Sequence, residues 1–433
     1  MKLTENKPAP ILNGSASSMK PQSEVDIVPA AAAKRDKNSH LGTAKKVKFD
    51  EYYTQWADVE REMNAYLEYN PDVFRGKVIL LPCDDPEWSN FAKFFALHFM
   101  DFGIKTLIST SYAPNSNPDK IGYQPTLFET ESPAFDATKT RANGKKFTLE
   151  WKDINGDGII NIDDLQWEYL EGDGDFRSSE VTALRDEAHF VITNPPFSLF
   201  RQFMTWVIGG GRKFSVVGNN NAITYNELFP HIMANELWKG ATGNTTDMVF
   251  AVPKGTVVNE KDRLKAEKMG YPSDDERDYT RQGNSCWFTN IDHGRRHEPL
   301  QLMTEADNIK FSKHKEIRGV GYENYDNFDA IEVPYVDAIP SDYGGMMGVP
   351  ITYLDKHNPD QFTILGSSEG DYPATKKYSK KERVVDGVRK KSNSGTLSGV
   401  VRVDSFGPGN HFDVGYPVRG VYKRLFIRRK GGA

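Results

Sequence analysis

Short apolar runs alternate with helix-like segments between residues 77 and 291, and this alternation limits the possible folds more than any other feature. The runs that predict buried strands are KVILLP, KTLISTSY, HFVIT, KFSVVGN, MVFAVP and CWFTNI. The segments with helical apolar spacing are WSNFAKFFALHFMDFG, SLFRQFMTWVIGGG and ELFPHIMANELW. Strands and helices alternating at this spacing predict an α/β fold with a doubly wound, mainly parallel sheet. Such sheets bind ligands beyond the carboxyl ends of their strands.

Shifts in composition divide the chain into three parts. Residues 1–48 are rich in Ala, Ser, Pro and Lys without a sustained period, which predicts a disordered N-terminal arm. Residues 49–300 contain the α/β pattern, although 254–283 is charged and poor in apolar residues and is predicted to be a loop or insertion. After residue 300 the alternation stops. Short runs such as QFTILG and VYKRLFIRR predict a mixed or β-rich region at 301–433.

Charge is distributed unevenly along the chain. The whole sequence has 55 Lys and Arg against 60 Asp and Glu, a net charge of −5, whereas residues 371–433 alone have 15 against 5. A basic end of this kind favours a polyanionic partner, although a solvated basic tail has the same composition. No apolar run is long enough to span a membrane, no secretory signal is evident, and two cysteines are too few for a disulfide framework. We therefore expect a cytoplasmic protein without a membrane partner.

The tetrapeptide Asn194-Pro195-Pro196-Phe197 directly follows the predicted strand FVIT. An exocyclic aromatic amine is a weak nucleophile because its lone pair is delocalised into the ring, and the side-chain carbonyl of Asn194 with a backbone carbonyl can accept its hydrogens without ionising. Pro195 and Pro196 have a fixed φ and no competing backbone donor, and Phe197 offers a flat apolar surface for stacking. These residues predict a pocket for one planar amine, with a rigid Pro-Pro turn as the structural alternative.

At this tetrapeptide the sequence resembles the catalytic motif of amino-group methyltransferases that use S-adenosylmethionine. The wider sequence is similar to one branch, the EcoRI-type adenine-specific DNA methyltransferases. Matching stretches keep their order between residues 52 and 430 and include EYYTQWADVEREM, PCDDPEWSNFAKFF, GDGDFRSSE, VITNPPFSLFRQF, CWFTNIDHGRRHE and DYGGMMGVPITYLDKHNPDQF. The resemblance implies a Rossmann-like core that transfers a methyl group from S-adenosylmethionine to N6 of an adenine flipped out of the duplex. It also implies a C-terminal region that recognises the DNA target.

The resemblance places the cofactor at two segments near the start of the core. In methyltransferases of this kind, the segment before the first strand contacts the methionine part of the cofactor, and here that segment is Tyr53, Thr54 and Gln55. The usual Gly-rich loop after the first strand is replaced by Pro-Cys-Asp-Asp-Pro, in which Cys83 and Asp84 are the candidate contacts. Without glycine, the close approach of backbone to cofactor is left open. The carboxylate of Asp84 is predicted to pair with the cofactor's amino group, with a plain turn residue as the alternative.

The resemblance assigns the other half of the cofactor to a later segment. Asp175 and Phe176 look like the pair that binds the adenine of the cofactor, and Asn194 borders the methyl group. An ordinary core position is the alternative for Phe176. The family's acidic residue after the second strand is absent, and the hydroxyls of residues 109–111 stand in its place.

The partners follow from the same resemblance. We expect double-stranded DNA as the substrate of a monomeric enzyme, and a restriction endonuclease of the same site as a cognate partner. Arg295, Arg296 and Asn327 are candidate base-reading residues, with surface solvation as the alternative. Two other functions stay open: an amino methyltransferase acting on RNA or protein glutamine, and a catalytically inactive DNA-binding relative.

The segment DINGDGIINIDD at residues 153–164 has the spacing of an EF-hand calcium loop. Oxygen-bearing side chains occupy positions one, three, five, nine and twelve, and the proposed ligands are Asp153, Asn155, Asp157 and Asp164. The last ligand is Asp instead of Glu, and this shorter arm makes bidentate binding harder. The pattern therefore predicts either a structural calcium site or an Asx-rich turn held by its own side chains.

Overall fold

The computed structural model describes residues 52–116, 125, 127–243, 247–369, 374–391, 398–403 and 410–431. The predicted arm at 1–48 lies outside the described residues. The helices are α1 (Trp56–Tyr69), α2 (Asn90–Leu97), α3 (Leu127–Thr130), α4 (Ser179–Glu187), α5 (Phe200–Gly209), α6 (Phe229–Met233), α7 (Glu260–Lys268) and α8 (Glu305–Phe311). No helix in this part of the chain has the length and apolar character that a membrane crossing requires.

The strands fall into an N-terminal and a C-terminal group. The N-terminal group consists of β1 (Tyr53–Thr54), β2 (Val78–Leu81), β3 (Thr106–Ser111), β4 (Lys145–Leu149), β5 (Gln166–Tyr169), β6 (Phe190–Thr193), β7 (Lys213–Asn219), β8 (Trp238–Lys239), β9 (Met248–Pro253), β10 (Arg277–Gln282) and β11 (Ser285–Thr289). The C-terminal group consists of β12 (Glu323–Asn324), β13 (Ile331–Glu332), β14 (Met347–Pro350), β15 (Phe362–Ser367), β16 (Glu382–Val385), β17 (Val388–Lys391), β18 (Val400–Arg402), β19 (His411–Asp413), β20 (Pro417–Gly420) and β21 (Arg424–Arg429).

The largest sheet is mixed and has the strand order β5-β4-β3-β2-β6-β7-β11-β8. Its central strands β3, β2, β6 and β7 are parallel, whereas β4, β5, β11 and β8 join antiparallel at the two edges. After β2 the chain moves to β3 on one side, and β6 pairs with β2 on the other side. The strand order therefore reverses between β2 and β6, and a reversal of this kind opens a ligand-binding crevice at the carboxyl ends of the two strands.

Helices cover both faces of this sheet. In β2, Ile79 and Leu81 belong to a hydrophobic cluster with residues of α1 and α2, whereas Leu80 belongs to a second cluster with residues of α4 and α5. Successive side chains of a strand point to opposite faces, so a strand buried on both faces is apolar at every position. This explains the continuous apolar runs of the sequence.

Serine caps set where two of these helices begin. The hydroxyl of Ser89 accepts hydrogen bonds from the N–H groups of Phe91 at 3.0 Å and Ala92 at 3.4 Å at the start of α2. Ser178 does the same for Val181 at 3.2 Å in α4. The caps satisfy N–H groups that have no partner within the helix, and they leave the helix N-termini beside the crevice.

Two assignments made from the sequence differ in detail from the structure. MVFAVP forms β9, but β9 pairs antiparallel with β1 and β10 in a separate three-stranded sheet. The predicted loop at 254–283 contains α7 and β10. Helix α7 buries only Ala266 and is stabilised by the cap of Asn259 and the pairs of Arg263 with Glu260 and Glu267, so it lacks an apolar stripe. The sequence analysis did not identify β4 and β5, which form one edge of the main sheet.

The region after residue 300 is β-rich, as predicted. It contains a five-stranded sheet of order β12-β13-β14-β21-β15 and another of order β17-β16-β19-β20-β18. One hydrophobic cluster includes Val349 and Leu425 from this region together with Phe214 and Val216 from the main sheet. The core is therefore continuous across the predicted boundary near residue 300, which stays a prediction.

Candidate active site

Asn194 lies directly after β6, at the carboxyl end of the strand that borders the crevice. Its Nδ2 donates a hydrogen bond to the backbone carbonyl of Tyr52 at 2.5 Å. Only the nitrogen of the amide can donate, so this contact determines which way the amide is turned. The other amide atom, Oδ1, is buried and has no hydrogen-bond partner among the described residues. A buried acceptor without a donor destabilises the protein, and the geometry therefore leaves one acceptor ready for an N–H group from outside.

Three aromatic rings form an apolar wall beside Asn194. The ring of Phe197 lies 5.0 Å from that of Tyr52 and 6.0 Å from that of Phe250. Phe197 is half-buried, and Pro195 is buried. The carbonyl of Pro196 accepts a hydrogen bond from the N–H of Leu199 at 3.0 Å. The Asn-Pro-Pro-Phe segment thus combines a polar acceptor with a flat apolar surface.

The segment Tyr53–Gln55 lies next to this wall. Strand β1 pairs with β9, with Thr54 opposite Phe250. The carbonyl of Thr54 accepts a hydrogen bond from Nδ2 of Asn90 at 2.8 Å, which ties the segment to the start of α2. The hydroxyl oxygen of Thr54 is buried, and no residue in the described part of the chain forms a hydrogen bond with it. The segment predicted to contact a cofactor therefore also contains an unsatisfied polar atom.

The loop after β2 adopts a glycine-like backbone without glycine. Cys83 has a φ of 70°, in the left-handed region that side chains disfavour. Its N–H donates to the hydroxyl of Thr110 at the end of β3 at 3.4 Å. Burial raises the pKa of the Cys83 thiol well above its usual range, so the thiol is not a nucleophile. The loop therefore has a backbone conformation typical of glycine, and the close approach of its backbone to the cofactor stays a prediction.

We expect the stability of Cys83 variants to depend on the backbone conformation at this position and not on the loss of the thiol. Cys83→Gly should fold with a free energy of unfolding within about 1 kcal/mol of wild type, since relief of left-handed strain offsets the greater freedom of the unfolded chain. Cys83→Val should be less stable by roughly 1–3 kcal/mol, because a β-branched residue is strained at positive φ. Urea denaturation measures both. Equal stability of the two variants would contradict the described conformation.

Asp84 is only 5 % exposed and connects three segments of the crevice. Its Oδ1 accepts a hydrogen bond from the hydroxyl of Ser89 at 2.6 Å, and its Oδ2 lies 2.5 Å from the hydroxyl of Thr193. The Thr193 hydroxyl also lies 2.6 Å from the carbonyl oxygen of Pro82. Burial raises the pKa of Asp84 to about 7, the hydroxyls of Ser89 and Thr193 act against this, and the charge of Asp85 adds to it. Both carboxyl oxygens are therefore engaged inside the protein.

Asp175 follows a glycine that its loop requires. Gly174 has a φ of 85°, and a Cβ there would collide with the carbonyl oxygen of Ser111 at the end of β3. The carboxylate of Asp175 accepts hydrogen bonds from Nε of Arg177 at 2.9 Å and from its Nη2 at 2.5 Å. These bonds hold the pKa of Asp175 below its usual value. The charge of Asp175 helps raise the pKa of Cys83, so the two predicted cofactor loops approach each other.

Phe176 occupies a different environment from its neighbour. It is 2 % exposed, and its ring packs 5.1 Å from that of Phe203 and 5.5 Å from that of Trp206. This position fits the core alternative, and a contact of Phe176 with the cofactor stays a prediction.

Sequence reasoning missed three residues of the crevice. Tyr52 contributes a backbone carbonyl, which no side-chain pattern reveals. In the sequence, Thr193 looks like an ordinary strand residue, but in the structure its hydroxyl contacts the loop after β2. Ser89 was detectable as the cap of α2, but its bond to Asp84 was not.

The predicted calcium site is not supported. Side-chain oxygens of Asp153, Asn155, Asp157 and Asp164 each accept a backbone N–H of the same loop, at 2.6, 2.9, 2.8 and 2.7 Å for the shortest bond of each. Among the described residues, which include this loop, no group of three or more His, Cys, Asp or Glu side chains could hold a metal ion. The segment is therefore an Asx-rich turn that satisfies its own polar groups, and the Asx spacing alone does not distinguish the two cases.

The candidate base-reading residues differ in position. Arg296 is 7 % exposed, with its guanidinium 3.4 Å from the ring centroid of Trp238 and a hydrogen bond to Asn235 at 2.6 Å. Asn327 is 2 % exposed and accepts a hydrogen bond from the N–H of Val400 at 2.9 Å. Both side chains are buried and form contacts inside the protein, which leaves them poorly placed to contact bases. Arg295 is exposed.

Strands β16 and β17 form a hairpin, here called the basic hairpin (Glu382–Lys391). Asp386 and Gly387 at its turn have φ values of 50° and 79°, as in the two-residue turns typical of hairpins. All four residues of β17 are exposed, and Arg383 lies directly opposite Lys390. Like charges opposite each other destabilise a strand pair, so this edge is suited to a polyanion that neutralises them.

Comparison with known proteins agrees with the resemblance noted from the sequence. The family described as adenine-specific methyltransferase EcoRI matches residues 40–403. The Type II methyltransferase M.EcoRI of Escherichia coli is 36% identical over 338 residues, which cover 78% of this chain and 92% of that protein. The Type II methyltransferase M.MpnI of Mycoplasma pneumoniae is 30% identical over 333 residues, covering 77% and 87%. The Type II methyltransferase M.MgeORF184P of Mycoplasma genitalium is 31% identical over 334 residues, also covering 77% and 87%. No solved structure matches.

Proposed function

Since the chain belongs to the family of adenine-specific methyltransferases described as EcoRI, we propose that it transfers a methyl group from S-adenosylmethionine to N6 of an adenine flipped out of duplex DNA. It is a DNA adenine methyltransferase of restriction-modification. The observation that carries the proposed chemistry is the buried Oδ1 of Asn194. It has no partner in the described ranges, whereas Nδ2 is held by the carbonyl of Tyr52.

We take residues 49–300 as a doubly wound, Rossmann-like methyltransferase core and residues 301–433 as the target-recognition region. The reversal of strand order between β2 and β6 and the helices on both faces of the sheet support this description. Asp84 and Asn194 lie in the two loops that follow β2 and β6 at this reversal.

The residues around the crevice fit S-adenosylmethionine. The unsatisfied hydroxyl of Thr54, with Tyr53 and Gln55 beside it, would hold the methionine part. The left-handed backbone at Cys83 would allow a close approach, and Asp175 would hold the adenosine part. When bound, the cofactor supplies a methyl group on positively charged sulfur, which a neutral amine can attack.

The protein's contribution to the reaction is to hold the amine in position. Asn194 Oδ1 accepts one hydrogen of the adenine N6 group. The carbonyl of Pro196 is engaged by Leu199, so we assign the second hydrogen to the carbonyl of Pro195. Two acceptors draw the amine toward a geometry in which its lone pair points at the methyl group. Phe197 stacks on the base, and this contact offsets part of the few kcal/mol that base flipping costs.

A methylation assay with labelled S-adenosylmethionine tests this function against its alternatives. We expect incorporation into duplex DNA, followed by detection of N6-methyladenine at one short sequence. Incorporation into RNA or protein alone would favour the other amino methyltransferases. Calorimetry that finds no cofactor binding would favour an inactive DNA-binding relative.

We expect the basic hairpin to contact DNA phosphates without reading sequence. Replacing Lys390 and Lys391 by Gln should weaken binding to every DNA sequence and reduce the salt slope of the binding constant by about 1.8, or ~0.9 for each phosphate that is no longer neutralised. Fluorescence anisotropy at several salt concentrations measures the slope. The matched control replaces the exposed Lys265 and Lys268 of α7 and should leave the slope unchanged. An unchanged slope in the hairpin variant would remove these lysines from the interface.

The proposal extends to the setting of the enzyme. A monomer that methylates one DNA site in the cytoplasm would protect it from a cognate restriction endonuclease, in keeping with the Type II names of its relatives.

A further inference from the structure

We infer that Asp84 is held as a carboxylic acid, and that its proton completes a hydrogen-bond chain through the hydroxyl of Thr193 to the carbonyl of Pro82. In this arrangement Asp84 is a positioning residue. It joins the loop after β2, where the cofactor is proposed to bind, to the end of β6, where Thr193 precedes Asn194.

A count of hydrogens carries the inference. Three close oxygen contacts meet at Asp84 and Thr193: Ser89 Oγ to Asp84 Oδ1 at 2.6 Å, Thr193 Oγ1 to Asp84 Oδ2 at 2.5 Å, and Thr193 Oγ1 to the Pro82 carbonyl oxygen at 2.6 Å. Each hydroxyl has one hydrogen, and a carbonyl or carboxylate oxygen has none. With an ionised Asp84, two hydrogens would have to serve three contacts.

A proton on Asp84 Oδ2 removes this conflict. Ser89 donates to Oδ1, the acid donates to Thr193, and Thr193 donates to Pro82. Every contact then contains one hydrogen and has the short length typical of O–H···O bonds.

The surroundings of Asp84 also favour its neutral form. Asp84 is 5 % exposed, Ser89 4 % and Thr193 0 %. Among the described residues no cation affects the pKa of Asp84, and burial then disfavours a charged carboxylate. The ionisable groups that face it from its own loop are Asp85, which raises its pKa, and the Cys83 thiol. From α2 and β6 it is faced by the hydroxyls of Ser89 and Thr193. Burial as the main cause brings its pKa to about 7.

The inference separates two roles for Asp84. A carboxylate that pairs with the cofactor's amino group would need its charge, whereas an acid within the chain needs only one donor and one acceptor. Asparagine supplies both, because Nδ2 can donate to Thr193 and Oδ1 can accept from Ser89. Asp84→Asn is therefore the variant that distinguishes the roles.

The first test compares unfolding by urea between pH 4 and pH 8 for wild type and Asp84→Asn, without cofactor. As pH rises from 4 to 7, the unfolded chain loses the Asp84 proton and the folded chain keeps it, so wild type loses stability through this group. The stability of Asp84→Asn relative to wild type should therefore rise, by up to about tenfold in the unfolding equilibrium constant per pH unit, and become level above pH 7. A difference that is the same at every pH would overturn the inference.

Asp85→Asn is the matched control, because it removes a carboxylate from the next residue. Relative to wild type, its stability should show no rise between pH 4 and pH 7. If Asp85→Asn shows the rise relative to wild type and Asp84→Asn does not, the proton belongs to Asp85 and the inference is wrong.

The second test rests on the proposed function and measures S-adenosylmethionine binding by calorimetry. Asp84→Asn should bind within about threefold of wild type, whereas a loss of more than about tenfold would restore the ion-pair role. Thr193→Val should lower kcat more than it raises KM for DNA, and Thr193→Ser should restore kcat. Equal loss in Thr193→Val and Thr193→Ser would exclude the hydroxyl. If wild type itself does not bind the cofactor, the proposed function fails, and the urea result still decides the state of Asp84.

Discussion

Replacement of Asn194 by alanine is expected to lower kcat for methyl transfer to DNA by about 10²- to 10³-fold, the range found when a preorganised polar group is removed from an active site. The variant loses Asn194 Oδ1, the buried acceptor after β6 that has no partner among the described residues. The amine is then no longer held with its lone pair toward the methyl group. Cofactor affinity should stay within about tenfold, or ~1.4 kcal/mol, because β1 and the loop after β2 are left in place.

Single-turnover methylation at saturating DNA and cofactor isolates this loss from binding. Asn194→Asp is the informative companion, since it keeps an oxygen acceptor but replaces the donor that bonds to the Tyr52 carbonyl at 2.5 Å. It should also be impaired, because a carboxylate facing that carbonyl is repelled. Full activity of Asn194→Ala would refute the assigned role, and a cofactor affinity reduced far beyond tenfold would make Asn194 a binding residue instead.

The sequence predicted those parts of the fold that depend on local patterns. Strands β2, β6 and β7 are buried on both faces, so their apolar runs are continuous and easily recognised. The position of Asn194 followed from the same pattern, because it comes directly after β6. The family resemblance is confirmed by the match over residues 40–403.

Strand pairing could not be predicted from the same patterns. MVFAVP looks like any other buried strand, and only its pairing with β1 and β10 places it outside the main sheet. Polar strands such as β10 have no apolar run to reveal them, and they form because a neighbouring strand supplies their hydrogen bonds. Such pairing is set by tertiary contacts and not by β-propensity.

The contacts that complete the crevice join residues far apart in the chain. Asp84 and Thr193 are separated by 109 residues, and Tyr52 and Asn194 by 142. A sequence pattern can identify Asp84 as a candidate cofactor contact. It cannot show that the hydroxyls of Ser89 and Thr193 lie beside its carboxyl group, because that depends on the fold. The segment at 153–164 shows the converse, because its side chains satisfy the backbone in a pattern that also suits a metal ion.

A buried ion pair in the C-terminal region should have the largest effect on stability. Glu332 of β13 accepts hydrogen bonds from Arg424 of β21, at 2.7 Å from Nη2 and 3.1 Å from Nε, and also from the hydroxyl of Tyr325. The side chains of Glu332 and Arg424 are 4% and 13% exposed. Glu332→Ala should lower the free energy of unfolding by roughly 3–5 kcal/mol, because it leaves the guanidinium buried without its counter-charge.

Urea denaturation of two further variants separates a packing defect from an unpaired charge. The double replacement Glu332→Leu with Arg424→Met should be more stable than Glu332→Ala alone, since it removes both charges and keeps apolar volume. Glu323→Ala breaks the pair with Arg419, whose side chains are 47% and 48% exposed, and should change stability by no more than about 1 kcal/mol. If Glu332→Ala were no worse than Glu323→Ala, the pair would be solvated.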